Sequence, residues 1–431
     1  MTLTESLTHL IRNKPVSEDD LHKTALFTLD AVVNLIAGRN SVVGQKLLQW
    51  GAARQNDEGR RAFVMGGLIH ILEVDDVHRA SVVHTGCVTV PVALALAQNR
   101  EIPGHIFLKS ILYGFEAACR VGMSVGPSHY KVWHNTATCG PYGSAMTAAT
   151  LLKLNDQQTM HALGNAGTQS AGFWEFLKTG AMSKHLHAAR AAEAGLVSAE
   201  LAALNFTGPP KILEGDSGFY AGACPDPEPD AVVRDPDGKW QVHLTSIKPW
   251  PSCRHTHPAI DASLAVYAEL DGERIEEVNV NTYQAAIDVC DRPIASTEYE
   301  GKFSIQHCVA AALQRGKIDF SAFGVTARAE AAKLSKKVNL FTSEPYMSSF
   351  PGSWGAGVSV TLENGKKIES SKPECKGDPE SMLGEVEMIE KAQDLLRFGG
   401  VNDPSQIINS IIDMPNSNNP VDLTPILSAA A

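Results

Sequence analysis

The spacing of apolar residues predicts helices over roughly the first 240 residues. Between Ser17 and Gly38, apolar side chains recur at helical intervals, Ser17 can cap the first turn, and acidic residues follow the cap. Further runs, rich in small residues that let helices approach closely, cover 90–98, 107–125, 143–154 and 185–204. This pattern is typical of a helical bundle.

The pattern changes after the Pro/Asp/Gly-rich stretch 224–240. Alternating polar and apolar residues predict strands in 240–247 and 277–289, and Asn364-Gly365 between two alternating runs predicts a hairpin. Helices are predicted at 257–270, 303–316, 326–338 and 379–398. We therefore expect a mainly α protein. Its large all-helical domain would comprise residues 1–244 and 378–431, and its smaller α+β domain residues 245–377.

The composition is that of an ordinary globular protein, with 44% hydrophobic and 20% charged residues. The net charge of -11 argues against nonspecific binding to nucleic acid, which requires a basic surface. An anionic substrate would therefore need a local basic cluster. The amino-terminal segment lacks the pattern of a secretory signal, and no apolar run reaches the roughly 18 residues of a membrane span. We expect a cytoplasmic protein that contacts neither nucleic acid nor membrane.

Four polar clusters stand in turn-like contexts: 73–84, 129–134, 184–187 and 248–257. Each has a plain structural alternative, because single histidines often cap helices or pack in cores and single lysines are usually solvated. The eight scattered cysteines form no C-x-x-C pair, and H-E-x-x-H is absent, so we expect no metal. G-x-S-x-G is also absent, which disfavours a serine hydrolase.

Five segments, in their order and spacing, resemble the MmgE/PrpD family over about residues 20–400. They are EVDDVHRASVVHTGCVTVPVALALA, VWHNTATCGPYGSAMTAATLLKL, MSKHLHAARAAEAG, IKPWPSCRHTHPAIDA and EGKFSIQHCVAAAL. This family includes 2-methylcitrate dehydratases, cis-aconitate decarboxylases and an iminodisuccinate epimerase, which all act on small polycarboxylates. The resemblance implies a helical domain, a smaller α+β lid domain, a homodimer and a site between the domains. It implies no metal and no organic cofactor.

Carried over by resemblance, the family's polar pocket corresponds to Glu73, His84, His134, Lys184 and Lys248. Glu73 replaces an aspartate of the decarboxylase branch, and its alignment requires a one-residue insertion before His84. Two further positions depart from the animal decarboxylases. Cys253 stands where they have a histidine, and their pocket tyrosine falls near Val289. These departures weaken the assignment as a decarboxylase.

The expected chemistry builds charge beside a carboxylate, which calls for an acid, a base and stabilising cations. Lysines would hold carboxylates, while histidines change charge near neutral pH and would act as acid and base in an order that the sequence leaves open. An acidic residue, Asp75 or Asp76, would orient one histidine. The predicted catalytic residues are His84, His134, Lys184, Lys248 and Asp76; the predicted substrate-binding residues are Glu73, Asp75, Cys253, Arg254 and His257.

We accordingly predict a cofactor-independent lyase on a small polycarboxylate, foremost a hydro-lyase like 2-methylcitrate dehydratase. Three alternatives stay open: an epimerase of the iminodisuccinate type, a cis-aconitate decarboxylase, and a non-catalytic protein that binds polycarboxylates. Turnover of a saturating polycarboxylate separates the enzymes from the binding protein.

Overall fold

A computed structural model describes residues 1–54 and 56–430 of the chain. It is 59% helical with small sheets, which confirms a mainly α protein with some β structure. The chain divides into two compact units. The first comprises Met1–Thr245 and Gly384–Ala431, and the second comprises Ser246–Leu383.

The first unit is built mainly from helices. They are α1 (Leu3–Asn13), α2 (Glu18–Gly38), α3 (Val42–Gly51), α4 (Glu58–His70), α5 (Gly86–Ala97), α6 (Gly104–Ser124), α7 (Pro127–Tyr130), α8 (Asn135–Leu151), α9 (Asp156–Gly167), α10 (Ser183–Ala203) and α11 (Phe219–Ala223). A short strand, β1 (Val77–His78), lies between α4 and α5, and β2 (Thr245–Ser246) includes the last residue of this part of the chain and the first of the second unit.

Helix α2 begins where the sequence predicts. The Ser17 hydroxyl accepts from the backbone N–H of Asp20, whose carboxylate accepts from the Ser17 N–H in return, so two free donors at the helix start are satisfied. Helix α5 is buried at every residue, which is the pattern of a helix at the centre of a bundle.

Helices α8 and α10 pack closely because small residues face each other. A Cβ atom on Gly195 of α10 would come within 2.0 Å of the Ser144 hydroxyl of α8. That hydroxyl also donates to the carbonyl of Ala191 at 2.7 Å, which ties the two helices together. This packing fixes the two amino-terminal ends, where His134 and Lys184 lie.

The second unit contains helices around a four-stranded sheet. Its helices are α12 (His257–Tyr267), α13 (Gln284–Cys290), α14 (Glu298–Lys302), α15 (Ile305–Arg315), α16 (Val325–Ser335) and α17 (Tyr346–Ser349). Its strands are β3 (Ile275–Thr282), β4 (Val338–Thr342), β5 (Ala356–Leu362) and β6 (Lys367–Lys372). The sheet order is β4-β3-β5-β6, with β3 parallel to β4 and the other pairs antiparallel.

The hairpin predicted at Asn364-Gly365 joins β5 to β6 and is confirmed, with Thr361 paired to Lys367. The chain then returns to the first unit through α18 (Glu385–Phe398), α19 (Ser405–Ile412) and α20 (Thr424–Ala430).

Two predicted strands are partly helical. Residues Gln241–Leu244 form a 3-10 turn, which the Thr245 hydroxyl stabilises by donating to the Gln241 carbonyl at 2.8 Å. The segment 277–289 is a strand only to Thr282 and then forms α13, in which Ala286 and Cys290 are buried at helical spacing. Alternating polar and apolar residues over a short segment do not distinguish a strand from a helical turn.

Within residues 1–54 and 56–430, no single helix is long and apolar enough to cross a membrane. The pair Glu18–Gly38 and Val42–Arg54 reaches that length and composition only together, across a bend of 91°.

Candidate active site

Four helix ends in the first unit carry the candidate site. Helix α4 ends at His70, while His84, His134 and Lys184 lie at the starts of α5, α8 and α10. The ring centroids of His70 and His84 are 4.5 Å apart, and those of His84 and His134 are 6.5 Å apart. The dipoles of three helices thus direct positive potential at a common region, which suits an anion.

The connection from α4 to α5 has an unusual backbone. Glu73 has φ 61° and Val82 has φ 52°, although both are non-glycine residues and Val82 is β-branched. Such conformations cost about 1–3 kcal/mol each and concentrate at functional sites, where surrounding contacts hold them. Most residues of this connection are buried, including Glu73 and His84.

Lys184 forms an ion pair with Glu73. Its ammonium donates to both carboxylate oxygens, at 2.5 and 2.6 Å, and only 4% and 1% of the two side chains are exposed. The lysine charge is therefore compensated inside the protein. Because an ammonium has three donors, it can bind Glu73 and a substrate carboxylate together.

Asp75 joins two histidines. One of its oxygens, Oδ2, lies 2.7 Å from Nδ1 of His70 and 3.3 Å from Nδ1 of His84. Burial would raise the pKa of Asp75, but the two histidines outweigh it and hold that pKa well below the ordinary value. Asp75 is therefore an ionised carboxylate that faces His84.

Asp76 points elsewhere and binds the backbone. Its carboxylate accepts from the N–H groups of Thr85 and Gly86 at 2.9–3.1 Å, at the start of α5. A Cβ on Gly86 would lie 2.4 Å from Asp76 Oδ1, so glycine makes this contact possible. Burial, with Asp75 and Asp30 nearby, raises the pKa of Asp76, and the two N–H groups oppose that shift. These contacts anchor the loop that carries Asp75.

His134 lies in a different environment. Its Nδ1 is 3.3 Å from Nδ1 of His187, and its ring lies 4.7 Å from that of Trp174. Burial and the neighbouring His187, His70 and Lys184 lower the pKa of His134 well below the ordinary value. Burial, with His70 and Lys184 nearby, also lowers the pKa of His187, to about 4. Both histidines are therefore neutral near pH 7.

The ligand atoms of His70, Asp75 and His84 lie within 4.8 Å of one another, as in some metal sites. Tetrahedral zinc with bonds of about 2.0–2.1 Å keeps its ligand atoms about 3.3 Å apart. The 2.7 Å between His70 Nδ1 and Asp75 Oδ2 is a hydrogen-bond distance, shorter than that spacing. Asp75 is hydrogen-bonded to His70 and lies 3.3 Å from Nδ1 of His84, and the absence of a metal stays a prediction.

The remaining predicted residues belong to the second unit. Lys248 is fully buried, with its ammonium 3.5 Å from the Ser252 carbonyl, and Nε2 of His257 is 3.3 Å from the same carbonyl. Both ends of the segment 248–257 therefore contact the peptide carbonyl of Ser252. The buried Cys253 donates its backbone N–H to the carbonyl of Lys302 at 2.8 Å.

Arg254 is paired within the second unit. Its guanidinium forms a short ion pair with the buried Asp378 and lies over the Trp354 ring, 5.5 Å from the centroid. Burial disfavours the charged form, but Cys375 and Asp378 outweigh it and raise the pKa of Arg254. The neighbouring His255 stacks on Trp354 at 4.5 Å and shares a hydrogen bond with the Tyr283 hydroxyl at 2.8 Å.

Two histidines of the candidate site were not predicted. His70 precedes the cluster 73–84 and ends a helix, where a histidine is ordinarily assigned to the helix dipole. His187 lies within the cluster 184–187, but only the fold shows that it faces His134. The spacing of five residues between His70 and Asp75 was the available signal.

Comparison with known proteins finds two family models in succession along the chain. The family model of the MmgE/PrpD N-terminal domain matches residues 10–231, and that of the MmgE/PrpD C-terminal domain matches residues 250–414. A cis-aconitate decarboxylase of Aspergillus terreus is 26% identical over 415 residues, covering 89% of this chain and 81% of that protein. The human cis-aconitate decarboxylase is 25% identical over 377 residues, a match that covers 82% of this chain and 76% of that protein.

A third relative, the cis-aconitate decarboxylase-like protein oryM of Aspergillus oryzae, is 28% identical over 217 residues. That match covers 47% of this chain and 45% of the relative, so the chain spans about half of that protein's length. The two family models together cover most of the sequence, and the chain belongs to the MmgE/PrpD family.

Proposed function

We propose that this protein is a lyase that removes water from a small polycarboxylate, as 2-methylcitrate dehydratases do. The observation that carries the proposal is a pair of neighbouring histidines in opposite electrostatic environments. His84 faces the ionised Asp75, whereas His134 is surrounded by histidines and Lys184. Elimination of water needs one group that donates a proton and one that accepts a proton, and this pair supplies both.

His84 is the proposed acid. An ionised carboxylate next to a histidine stabilises its imidazolium form and holds the proton on the facing nitrogen. With Nδ1 directed at Asp75, Nε2 is the nitrogen that protonates the departing hydroxyl.

His134 is the proposed base. Its lowered pKa keeps the ring neutral near pH 7, so it can accept a proton from the carbon next to a carboxylate. Nδ1 of His187 lies 3.3 Å from Nδ1 of His134, so the two atoms share one proton. When His134 carries that proton on Nδ1, its Nε2 is the nitrogen that accepts a proton from the substrate. The negative charge that develops on the carboxylate is stabilised by Lys184 and by the helix starts of α8 and α10.

Lys248, which the family resemblance assigns to the polar pocket, is fully buried in the second unit. We propose that Lys248 binds a second carboxylate of the substrate, which would select polycarboxylates over simple hydroxy acids. Arg254 is already paired with Asp378 and would act by holding the segment 248–257 in place.

Decarboxylation of cis-aconitate is the second candidate, because two relatives are named cis-aconitate decarboxylase and a third is named cis-aconitate decarboxylase-like. Decarboxylation needs a proton donor after loss of CO2 but no base for a C–H proton. A neutral His134 next to an acidic His84 therefore favours dehydration. Cys253 stands in place of the histidine of the animal decarboxylases, which also favours dehydration over decarboxylation.

The proposal is tested by incubating the protein with 2-methylcitrate, citrate, cis-aconitate and iminodisuccinate, and following products by NMR. Lys248→Ala should lower kcat/KM by about 10- to 150-fold, since a charge-assisted hydrogen bond contributes about 1.5–3 kcal/mol. Lys366→Ala is the matched control, because that lysine is 52% exposed in the same unit. Saturable binding of a polycarboxylate without turnover would instead indicate a binding protein.

A further inference from the structure

His70 is the last residue of α4 and is fully buried. Its Nδ1 lies 2.7 Å from Asp75 Oδ2, the same oxygen that faces His84. One carboxylate oxygen therefore connects two imidazole rings. The exposed fractions of the side chains are 0% for His70, 0% for Asp75 and 10% for His84, so only His84 is open to a substrate.

The surroundings of His70 determine where its proton lies. An ionised carboxylate can only accept, so the short contact requires the proton on Nδ1. Nε2 of His70 is buried and has no hydrogen-bond partner among the described residues. A second proton there would be an unsatisfied charged donor, which costs more than an unpaired neutral acceptor. The ring is thus set in the Nδ1–H tautomer.

We propose that His70 is a positioning residue for the acid of the reaction. By donating to Asp75, His70 keeps that carboxylate ionised and fixes the direction of Oδ2. The same oxygen then holds the Nδ1 proton of His84 and leaves Nε2 to exchange a proton with the substrate. This inference rests on the proposed function, in which His84 is the acid.

Other titratable groups near this chain of three residues also affect its charge. They are Glu73 and Asp76 from the loop, Cys87 from α5, His134 from α8, and Lys184, His185 and His187 from α10. A variant of His70 must therefore leave these groups unchanged. Asparagine and leucine suit this purpose because both fit the space of a histidine and carry no charge.

The test compares His70→Leu with His70→Asn. Leucine removes the donor to Asp75, whereas the asparagine amide places an N–H near the position of Nδ1. We expect His70→Leu to lower kcat by about 10-fold or more, a part of the roughly 100- to 10,000-fold that acid–base groups contribute. KM should change little. Once the donor from residue 70 is removed, Asp75 takes up a proton at higher pH. The acidic limb of the pH profile should therefore shift to higher pH.

His70→Asn should recover most of the lost kcat and the original pH profile. His307→Leu is the control, because His307 is also buried and its Nε2 is 3.0 Å from a backbone carbonyl, yet it has no part in the proposed site. It should lower the melting temperature without moving kcat or the pH profile. If His70→Leu behaves like this control, His70 is merely structural and the proposal is overturned.

A measurement on the unmodified protein covers the case in which His70→Leu does not fold. The 15N NMR signals of His70 report its tautomer, and we expect protonated Nδ1 with unprotonated Nε2. The opposite tautomer, or an imidazolium, would overturn the proposal. This readout does not require turnover. An inactive protein with the expected tautomer would therefore contradict the proposed function while leaving the role of His70 toward Asp75 intact.

Discussion

Lys184 and Glu73 form a buried ion pair in which the ammonium of one contacts both oxygens of the other. Removing one partner of such a pair leaves an uncompensated charge and commonly costs about 3–5 kcal/mol, whereas replacing both partners is often neutral. The pair therefore contributes to folding as well as to the proposed binding of a carboxylate, and the two contributions can be separated.

Lys184→Met alone should lower the free energy of unfolding by about 3–5 kcal/mol. The double variant Glu73→Met/Lys184→Met should restore most of that stability, because apolar residues of similar volume leave neither an unpaired charge nor an unpaired amide. Its kcat/KM should stay at least about 10-fold below that of the unmodified protein, since the substrate has lost a charge-assisted contact. Denaturant unfolding and steady-state kinetics check both. A stable double variant with full activity would remove Lys184 from the site.

His134→Gln should lower kcat by about 100-fold or more, because glutamine keeps hydrogen bonding but cannot accept the proton. Folding should be little affected, since the His134 side chain does not cap α8. His161→Gln is the comparison, because the His161 ring also forms a hydrogen bond, with the Gly208 carbonyl at 3.1 Å, but lies outside the site. Melting temperature and kcat are measured on one preparation. A destabilised but fully active His134→Gln would exclude His134 as the base.

The sequence was sufficient for the parts of this molecule that depend on local pattern. The capping box of α2 and the Asn364-Gly365 hairpin follow from residues a few positions apart. The family resemblance identified Glu73, His84, His134 and Lys184, and the fold brings these four together in one unit.

Side-chain direction could not be derived in the same way. Asp75 and Asp76 are adjacent and chemically identical, yet one faces two histidines and the other binds the backbone at the start of α5. The choice depends on the positive φ of Glu73 and on contacts from α4, which are tertiary. The assignment of acid and base depends on the same contacts, because neighbours from four helices set the two environments.

Stability should fall as the pH is lowered from about 6.5 toward 4. Burial lowers the pKa of His78 to about 3, lowers that of His187 to about 4, and lowers that of His134. Between each folded value and the ordinary value of about 6.5, the unfolded chain binds more protons, so protonation favours unfolding. Urea unfolding at several pH values measures the slope of the free energy of unfolding against pH. His78→Asn should flatten it, and stability that is constant or higher at pH 5 would contradict the shifts.

Activity should not depend on a bound metal. The hydrogen bond between His70 and Asp75 places a proton where a metal would have to enter. Elemental analysis of the purified protein should find less than one equivalent of zinc, iron or magnesium, and a chelator should leave kcat unchanged. A full equivalent of metal, with activity lost on chelation and restored by that metal, would show that these residues are ligands instead.

The central claim is elimination of water from a polycarboxylate by a paired acid and base. The most direct measurement is NMR of 2-methylcitrate incubated with the protein, with dissolved CO2 measured in the same sample. We expect signals of a new carbon–carbon double bond, with all three carboxylates retained and no CO2 above the level without protein. Unchanged 2-methylcitrate, together with release of CO2 from cis-aconitate in a parallel sample, would contradict the account.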